Sequence, residues 1–447
     1  VSASSLALGL ALGLGVVANA AAQTTADFST LPTSTATSIT SGWVTATGER
    51  PLGTPALVHV LNFNGIGVVG GIADSVIDTG ERLRFTFDAF GRRNEVVDAS
   101  FFLQFISNAD GDGNFGEYEL QAFRGSLPLG TVNIFSSNTG ANQVSSLFSN
   151  QPLTAFEFTP SGDHFRIRSV TFTVQSADRT WTNPQSGFWD SGSNWDKGTA
   201  PYERSAVSIE PSNGLRVTGP FSNTTVHSLS VGATTSGIAV LEMSSGDIAS
   251  LTNVTIQPRG ALDLGSGRVL RGTTLFNLGV LRGDGQVDAV LSNESSGRVT
   301  IGTGQRIEFT SNFDNTNFGL IEVGGGEARF TASVVNKGGA TISGRDATLR
   351  FDGGLSNSGS LNLTAGVSEV HGDVASRGSI ALGARTQAIF HDDFEQAGTF
   401  VIPTGAVATM FGRYTGLGFT GGGELVVIGT LSPGFSPAIA DFDGDLT

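Results

Sequence analysis

Asn317-Phe-Gly319-Leu-Ile-Glu-Val-Gly-Gly-Gly-Glu-Ala-Arg-Phe330-Thr-Ala-Ser-Val334-Val-Asn336-Lys-Gly338 opens a pattern that returns as Phe351-Asp-Gly-Gly-Leu355-Ser-Asn357-Ser-Gly359 and again as Phe390-His-Asp-Asp-Phe394-Glu-Gln396-Ala-Gly398. Glycines that precede a short apolar run fall at positions 279, 297, 319, 338, 359, 378 and 398, a mean spacing of about 20 residues. Asn stands two residues before the Gly at Asn277, Asn317, Asn336 and Asn357, with Ser376 and Gln396 in the same place later. Asn293 stands four before Gly297, which implies a longer turn, and Ile342 arrives late after Gly338, which implies an insertion. A second phase keeps the same period in the four-residue spacings Phe309…Phe313, Phe330…Val334, Phe351…Leu355, Val370…Val374 and Phe390…Phe394. Two features holding one period mark a solenoid. Gly and Asn break helices, so the repeat is built of strands.

The fold that satisfies this pattern is a right-handed parallel β-helix over 236–430, with about three short strands per coil. Coils stack at the inter-strand distance of about 4.8 Å, so residues of one phase lie above one another. Phe309, Phe330, Phe351 and Phe390 are expected in an internal stack. Asn277, Asn317, Asn336 and Asn357 are expected as a ladder at a turn, where Asn tolerates left-handed backbone and bonds to the coil above. From Gly260 to Gly429 the period allows eight to nine coils.

Three of the four Trp, Trp181, Trp189 and Trp195, fall just before the repeats. The segment 179–235 reads as a cap, because an open solenoid end exposes core and unpaired strand edges. The other reading of these rings is a stacking surface for sugars. The pattern Trp181…Gly187-Phe-Trp189-Asp190…Asn194-Trp195…Gly198…Pro201 resembles the opening of secreted bacterial proteins with autotransporter-associated β-strand repeats. Leu431-Ser432-Pro433-Gly434-Phe-Ser436-Pro437 resembles their S-P-G-x-S-P element, and 431–447 reads as the start of a further C-terminal segment. The resemblance spans 179–447 and extends to planctomycete-type and exosortase-sorted (PEP-CTERM) surface proteins. It implies a cell-surface or extracellular, bacterial location.

Residues 23–178 read differently. Leu83-Arg-Phe85-Thr-Phe87, Phe156-Glu-Phe158, Phe165-Arg-Ile167 and Val170-Thr-Phe172-Thr-Val174 alternate with period two. That is the signature of half-buried antiparallel strands, and about 150 residues of them predict a jelly-roll-like β-sandwich. Within it, Asn108, Asp110, Asp112, Asn114 and Glu119 have the spacing of a calcium loop, with Gly113 at the sharp turn. The preceding Phe-Phe-Leu-Gln-Phe-Ile reads as strand, so the alternatives are a calcium-binding β–β loop and a bare polar hairpin turn. Trp43 and Tyr118 are candidate sugar contacts, with packing the competing role. Residues 6–17 are apolar and are followed by Ala18-Asn-Ala20-Ala-Ala22, which predicts a secretory signal over 1–22.

The chain has 447 residues, 25 Lys and Arg against 40 Asp and Glu, a net charge of −15, and no Cys. That balance argues against nucleic acid as a partner. The lack of Cys excludes disulfides and thiolate metal sites. His at 59, 164, 227, 371 and 391 are scattered, which argues against a multi-His metal site. No apolar stretch reaches the ~20 residues of a membrane span. Asp352, Asp373 and Asp393 read as an acidic row repeated coil by coil, for which solvation, cation binding and acid chemistry are alternatives. The function expected is a secreted, non-enzymatic structural or adhesion protein, partnered by extracellular polysaccharide or other surface proteins. A polysaccharide lyase or glycoside hydrolase is the alternative. Calcium is the one candidate cofactor.

Overall fold

The computed structural model describes residues 23–447 apart from short interruptions, chiefly 29–33, 62–64, 69–76, 88–92, 108–116, 136–139 and 435–438. The chain divides into two units, Val1–Ser176 and Ala177–Thr447. The predicted signal over 1–22 and Trp43 lie outside the described residues.

The first unit has two antiparallel sheets. One runs Gly140–Gln143, Asn94–Ser107, His164–Ser176, Gly65–Val68, Val58–Leu61 and Ser34–Ala36, with Gln23–Asp27 also on His164–Ser176. The other runs Leu127–Phe135, Glu117–Arg124, Ala155–Pro160, Arg82–Thr86, Val44–Arg50 and Ser38–Ser41, with Thr54–Ala56 on Val44–Arg50. Period-two alternation turns one side chain in two toward a shared core, where Phe101 from the first sheet meets Phe158 from the second at 4.6 Å between ring centroids. Phe87 meets Phe172 in the same way at 5.0 Å. The sequence suggested two strands across 165–174, but His164–Ser176 is one strand. Its register slips between Ile167 and Ser169, so both Ile167 and Val170 face inward. A β-bulge, with its extra residue, produces that break in alternation.

The second unit is a parallel β-solenoid of about 12 turns from residue 206 onward. Regular ladders therefore begin inside the segment that the sequence suggested was cap. Each turn contributes to three parallel ladders, here called sheets I, II and III. Sheet I stacks Val254–Ile256, Asn315–Asn317, Val334–Asn336, Leu355–Asn357, Val374–Ser376 and Phe394–Gln396 among its rungs. Sheet II carries Arg298–Ile301, Leu320–Gly324 and Ser379–Leu382. Sheet III carries Arg306–Phe309, Glu327–Phe330 and Thr386–Phe390. The strand Thr341–Phe351 bends from sheet II into sheet III, and Ser360–Val370 does the same one coil on.

Register makes each core position a column. Sheet III stacks Val287, Phe309, Phe330, Phe351, Val370, Phe390 and Met410 rung upon rung. Phe309 and Phe330 lie 4.6 Å apart at 4°, and Phe330 and Phe351 5.4 Å apart at 7°. Sheet I ends in the asparagine column. Each Asn Nδ2 donates to the Oδ1 of the next: Asn277 to Asn293 at 2.7 Å, Asn293 to Asn317 at 2.7 Å, Asn317 to Asn336 at 2.9 Å and Asn336 to Asn357 at 2.8 Å. The second hydrogen of each of these donors goes to a backbone carbonyl one coil further, as from Asn317 to Thr341 O at 3.1 Å. Asn357 passes the ladder to Ser376 Oγ.

Three expectations are corrected here. The ladder Asn side chains are buried at the ends of extended strands, and none has positive φ. They are held by their inward amides and not by left-handed turns. Asn293 belongs to the ladder although its Gly is four residues away. The longer turn Glu294-Ser-Ser-Gly297 absorbs the difference, and Lys337-Gly-Gly-Ala340 does the same after Asn336, so that Ala340 occupies the glycine column. Where the turn is tight, as at Gly319, the residue is glycine for reasons of space: a Cβ there would lie 2.3 Å from the carbonyl oxygens of Glu294 and Gly297. Finally, Phe313 is 73% exposed. Its core place is taken by Asn315, which pairs with Val334, because the turn after Phe309 is two residues longer than its neighbours.

Candidate functional site

Trp181, Trp189 and Trp195 form the start of the solenoid core. Arg179–Thr180 pairs with Ala206–Ile209 and Gly187–Phe188 with Leu215–Thr218, each in parallel. The rings meet edge to face, Trp181 on Trp195 at 5.1 Å and Trp189 on Trp195 at 5.2 Å. Trp195 Nε1 donates to the Trp189 carbonyl at 2.7 Å. All three are buried in the solenoid's hydrophobic cluster, so their faces are covered by protein and offer no platform for a sugar. Tyr118 is likewise core, packed against Phe101 and Phe158, and its burial pushes the phenol's pKa up. Of the calcium-loop residues, Asn108, Asp110, Asp112 and Asn114 lie outside the described residues. Glu119 is an exposed residue within the strand Glu117–Arg124, opposite Asn133 and Thr159.

The solenoid's surface chemistry gathers where sheet III turns into sheet I. A groove of about 790 Å³ runs along this flank, with Asp314, Asp373, Asp393, Glu395 and Arg413 among its walls and Ser356 and Ala375 among its floor. Asp373 and Asp393 occupy one phase, directly before the inward residues Val374 and Phe394. The Asp393 N–H donates to Asp373 Oδ1 at 3.2 Å, and the Arg413 N–H donates to Asp393 Oδ1 at 3.0 Å. Arg413 also closes on Asp393 Oδ2 at 3.0 Å through its guanidinium. Each carboxylate thus ties one coil to the next.

Asp352 does not belong to this row. Its N–H bonds to Phe330 O as those of His371 and His391 bond to Phe351 O and Val370 O, which puts Asp352 in their phase, two residues before that of Asp373. Its side chain joins a chain of ion pairs across the outside of sheet III. Arg306 pairs with Glu308 and Glu327, Arg329 with Glu308 and Asp352, and Arg350 with Asp352 and Glu369. Burial alone pushes the Asp352 carboxyl up, but hydrogen bonds and charge from Arg350 and Arg329 outweigh it and hold the pKa below the ordinary value. The outward column reads Glu308, Arg329, Arg350 and Glu369, so two arginines are rung neighbours. Like charges at that spacing repel, and Asp352, paired with both, offsets the repulsion.

The histidines show what the sequence reading missed. Although His371 and His391 are far apart in a list, they differ by 20 residues, one turn. Their rings stack at 4.1 Å and 7°, and Phe411 continues the stack above His391 at 5.4 Å and 6°. Glu369 Oε2 lies 3.2 Å from His371 Nε2. One donor atom from each of Glu369, His371 and His391 lies within 4.8 Å of the other two. The period already counted from Gly and Asn was the signal that could have found this pair. Among the described residues no helix is long and apolar enough to cross a membrane. No protein-family model, no curated protein and no solved structure matches this chain, so the likeness of 179–447 to autotransporter-associated repeats is carried by its motifs alone.

Proposed function

We propose that this is a secreted, non-enzymatic surface protein of structural or adhesive role, with the solenoid as a stiff stalk and extracellular polysaccharide or other surface proteins as partners. The observation that supports this reading is the continuity of the three ladders through about 12 turns. The coils are joined by backbone hydrogen bonds, by core columns and, from Asn277 to Asn357, by the Asn ladder. A repeat array of this kind resists bending because each coil is fixed by both neighbours. The acidic row fits the same role, since Asp373 and Asp393 accept N–H donors from adjacent coils.

The second reading, a polysaccharide lyase or glycoside hydrolase, is favoured by one feature: the flank groove holds Asp373, Asp393, Glu395 and a guanidinium, Arg413. Two carboxylates flanking a glycosidic bond are the usual requirement for hydrolysis. A glycan array and a polysaccharide-cleavage screen on residues 23–447, each run with and without calcium, separate the readings. Binding without cleavage is the expected result, and the calcium arm tests the loop from Asn108 to Glu119. Cleavage that disappears in Asp393→Asn and Glu395→Gln would replace the scaffold with the enzyme.

A further inference from the structure

Two imidazoles one coil apart and a carboxylate two residues from the first stand on the outer face where sheet III ends. We infer that Glu369, His371 and His391 bind a divalent transition-metal ion, with zinc as the representative. The donor set decides the class. Imidazole nitrogen suits Zn, Ni and Cu, whereas Ca and Mg take oxygen-rich sites. The three donor atoms already lie within 4.8 Å of one another. Metal–ligand bonds of ~2.1 Å place donors roughly 3.4 Å apart in a tetrahedral site, so side-chain rotation of about an ångström closes the set. The rungs themselves need not move.

Two further observations point the same way. His391 Nε2 is sealed from solvent and has no hydrogen-bond partner, although buried polar atoms ordinarily find one. His371 is already held by Glu369, an arrangement that orients the ring. An imidazole lone pair lies in the ring plane, so two parallel rings cannot both aim at one ion. Ligation therefore tilts His371 and His391 out of their 7° stack. Phe411, on the far side of His391, stays in place and limits the tilt. Three protein ligands leave a fourth position for water or for a donor from a partner. Arg350, 3.7 Å from Glu369, is the competing cation and must release the carboxylate as the ion enters.

The test is titration of zinc chloride into the full chain by calorimetry, beside His371→Phe, His391→Phe and Glu369→Gln. Phe keeps a ring in the stack and removes the donor, so loss of binding is not loss of packing. One ion per chain is expected in the parent, at least tenfold weaker binding in either His→Phe variant, and a smaller, severalfold weakening in Glu369→Gln. Zinc should raise the melting temperature of the parent and leave the double variant His371→Phe/His391→Phe unmoved. Imidazole NMR of the parent gives a readout independent of any variant: two His resonance sets should shift with one equivalent of zinc. No uptake by the parent, uptake unchanged in the double variant, or shifts confined to His59, His164 and His227 would overturn the site.

Discussion

Both units are rich in buried Phe, yet the sandwich has no counterpart to the parallel ring column of the solenoid among its described residues. In the sandwich unit, Phe156 meets Phe158 at 85°, Phe85 meets Phe158 at 89° and Phe101 meets Phe158 at 84°. In the solenoid, Phe309, Phe330 and Phe351 lie within 7° of parallel. The ring quadrupole favours edge-to-face and offset contacts over a direct face-to-face pair. In the sandwich each ring takes its own angle, so these edge contacts stand beside tilted ones, Phe85 on Phe156 at 32° and Phe101 on Phe156 at 35°. Within one solenoid column, translation by one rung repeats the backbone and the rotamer together, so the rings run parallel, whereas Phe390 and Phe394, from different columns, meet at 77°. The backbone ladder imposes that geometry, and burial of the rings offsets its cost. The difference predicts that damage spreads through the sandwich and stays local in the solenoid.

The largest effects should come from truncating a ring in each unit. Phe156→Ala removes a side chain touching Phe85, Phe87, Phe101 and Phe158. Phe330→Ala removes one link of the column. Each should cost about 3–5 kcal/mol. Hydrogen exchange on the full chain should separate them. Protection should fall across both sheets of 23–176 for Phe156→Ala, and only in the coils containing Phe309, Phe330 and Phe351 for Phe330→Ala. Equal spread in the two cases would remove the contrast.

Next comes Asn317→Leu, which has no counterpart in the sandwich. It leaves one hydrogen of Asn293 Nδ2 unpaired below, the other staying on Leu320 O, and strands Asn336 Oδ1 above. Each buried group left unpaired costs roughly 1–3 kcal/mol. Asn277 shows the permanent form of this cost, because Ile256 stands below it and its own Oδ1 has no partner. The paired change at neighbouring rungs, Asn317→Leu with Asn336→Leu, should cost less than the sum of the singles by double-mutant cycle. Additivity would mean that the amides do not bond to one another.

The smallest effect is a pH response at the far end of the ladder. Tyr414 donates its hydroxyl to Gln396 Oε1 and lies near Gly418 O, and burial pushes its pKa up to about 12. A folded-state pKa above the unfolded value of about 10 favours the protonated, folded chain. The contribution is complete below pH ~10 and is lost as pH rises toward 12. Tyr414→Phe should flatten the alkaline limb of a stability–pH curve by about 1 kcal/mol. An unchanged limb would place the alkaline sensitivity elsewhere.

How much of this was legible depended on whether a residue's phase could be counted. The Gly and Asn columns and the Phe column carried the period independently. Turns that grew by two residues blurred phase locally. Phe313 sits four after Phe309 and looks like core, yet Asn315 holds the inward place. Asp352 sits one residue after a core Phe and Asp373 three after a core Val, so their likeness as Asp-Gly and Gly-Asp hid different columns. The His371–His391 pair needed only subtraction. The groove was not legible, because its walls come from seven coils and depend on how each turn projects. In the sandwich, alternation identified strands but not their partners, which are set by contacts distant in sequence.

The central claim is vertical register over many coils, and distances between spin labels test it most directly. The chain has no Cys, so labels can be placed pairwise without background. Thr316, Val335, Ser356, Ala375, Glu395, Thr415 and Ser432 form one outward column. Labels at Thr316 and Glu395 are four rungs apart, and at Thr316 and Ser432 six, which at ~4.8 Å per rung gives about 19 Å and about 29 Å. Narrow distributions whose maxima differ by about 10 Å are the predicted result. Broad distributions, or maxima that do not grow with the number of coils crossed, would contradict the solenoid.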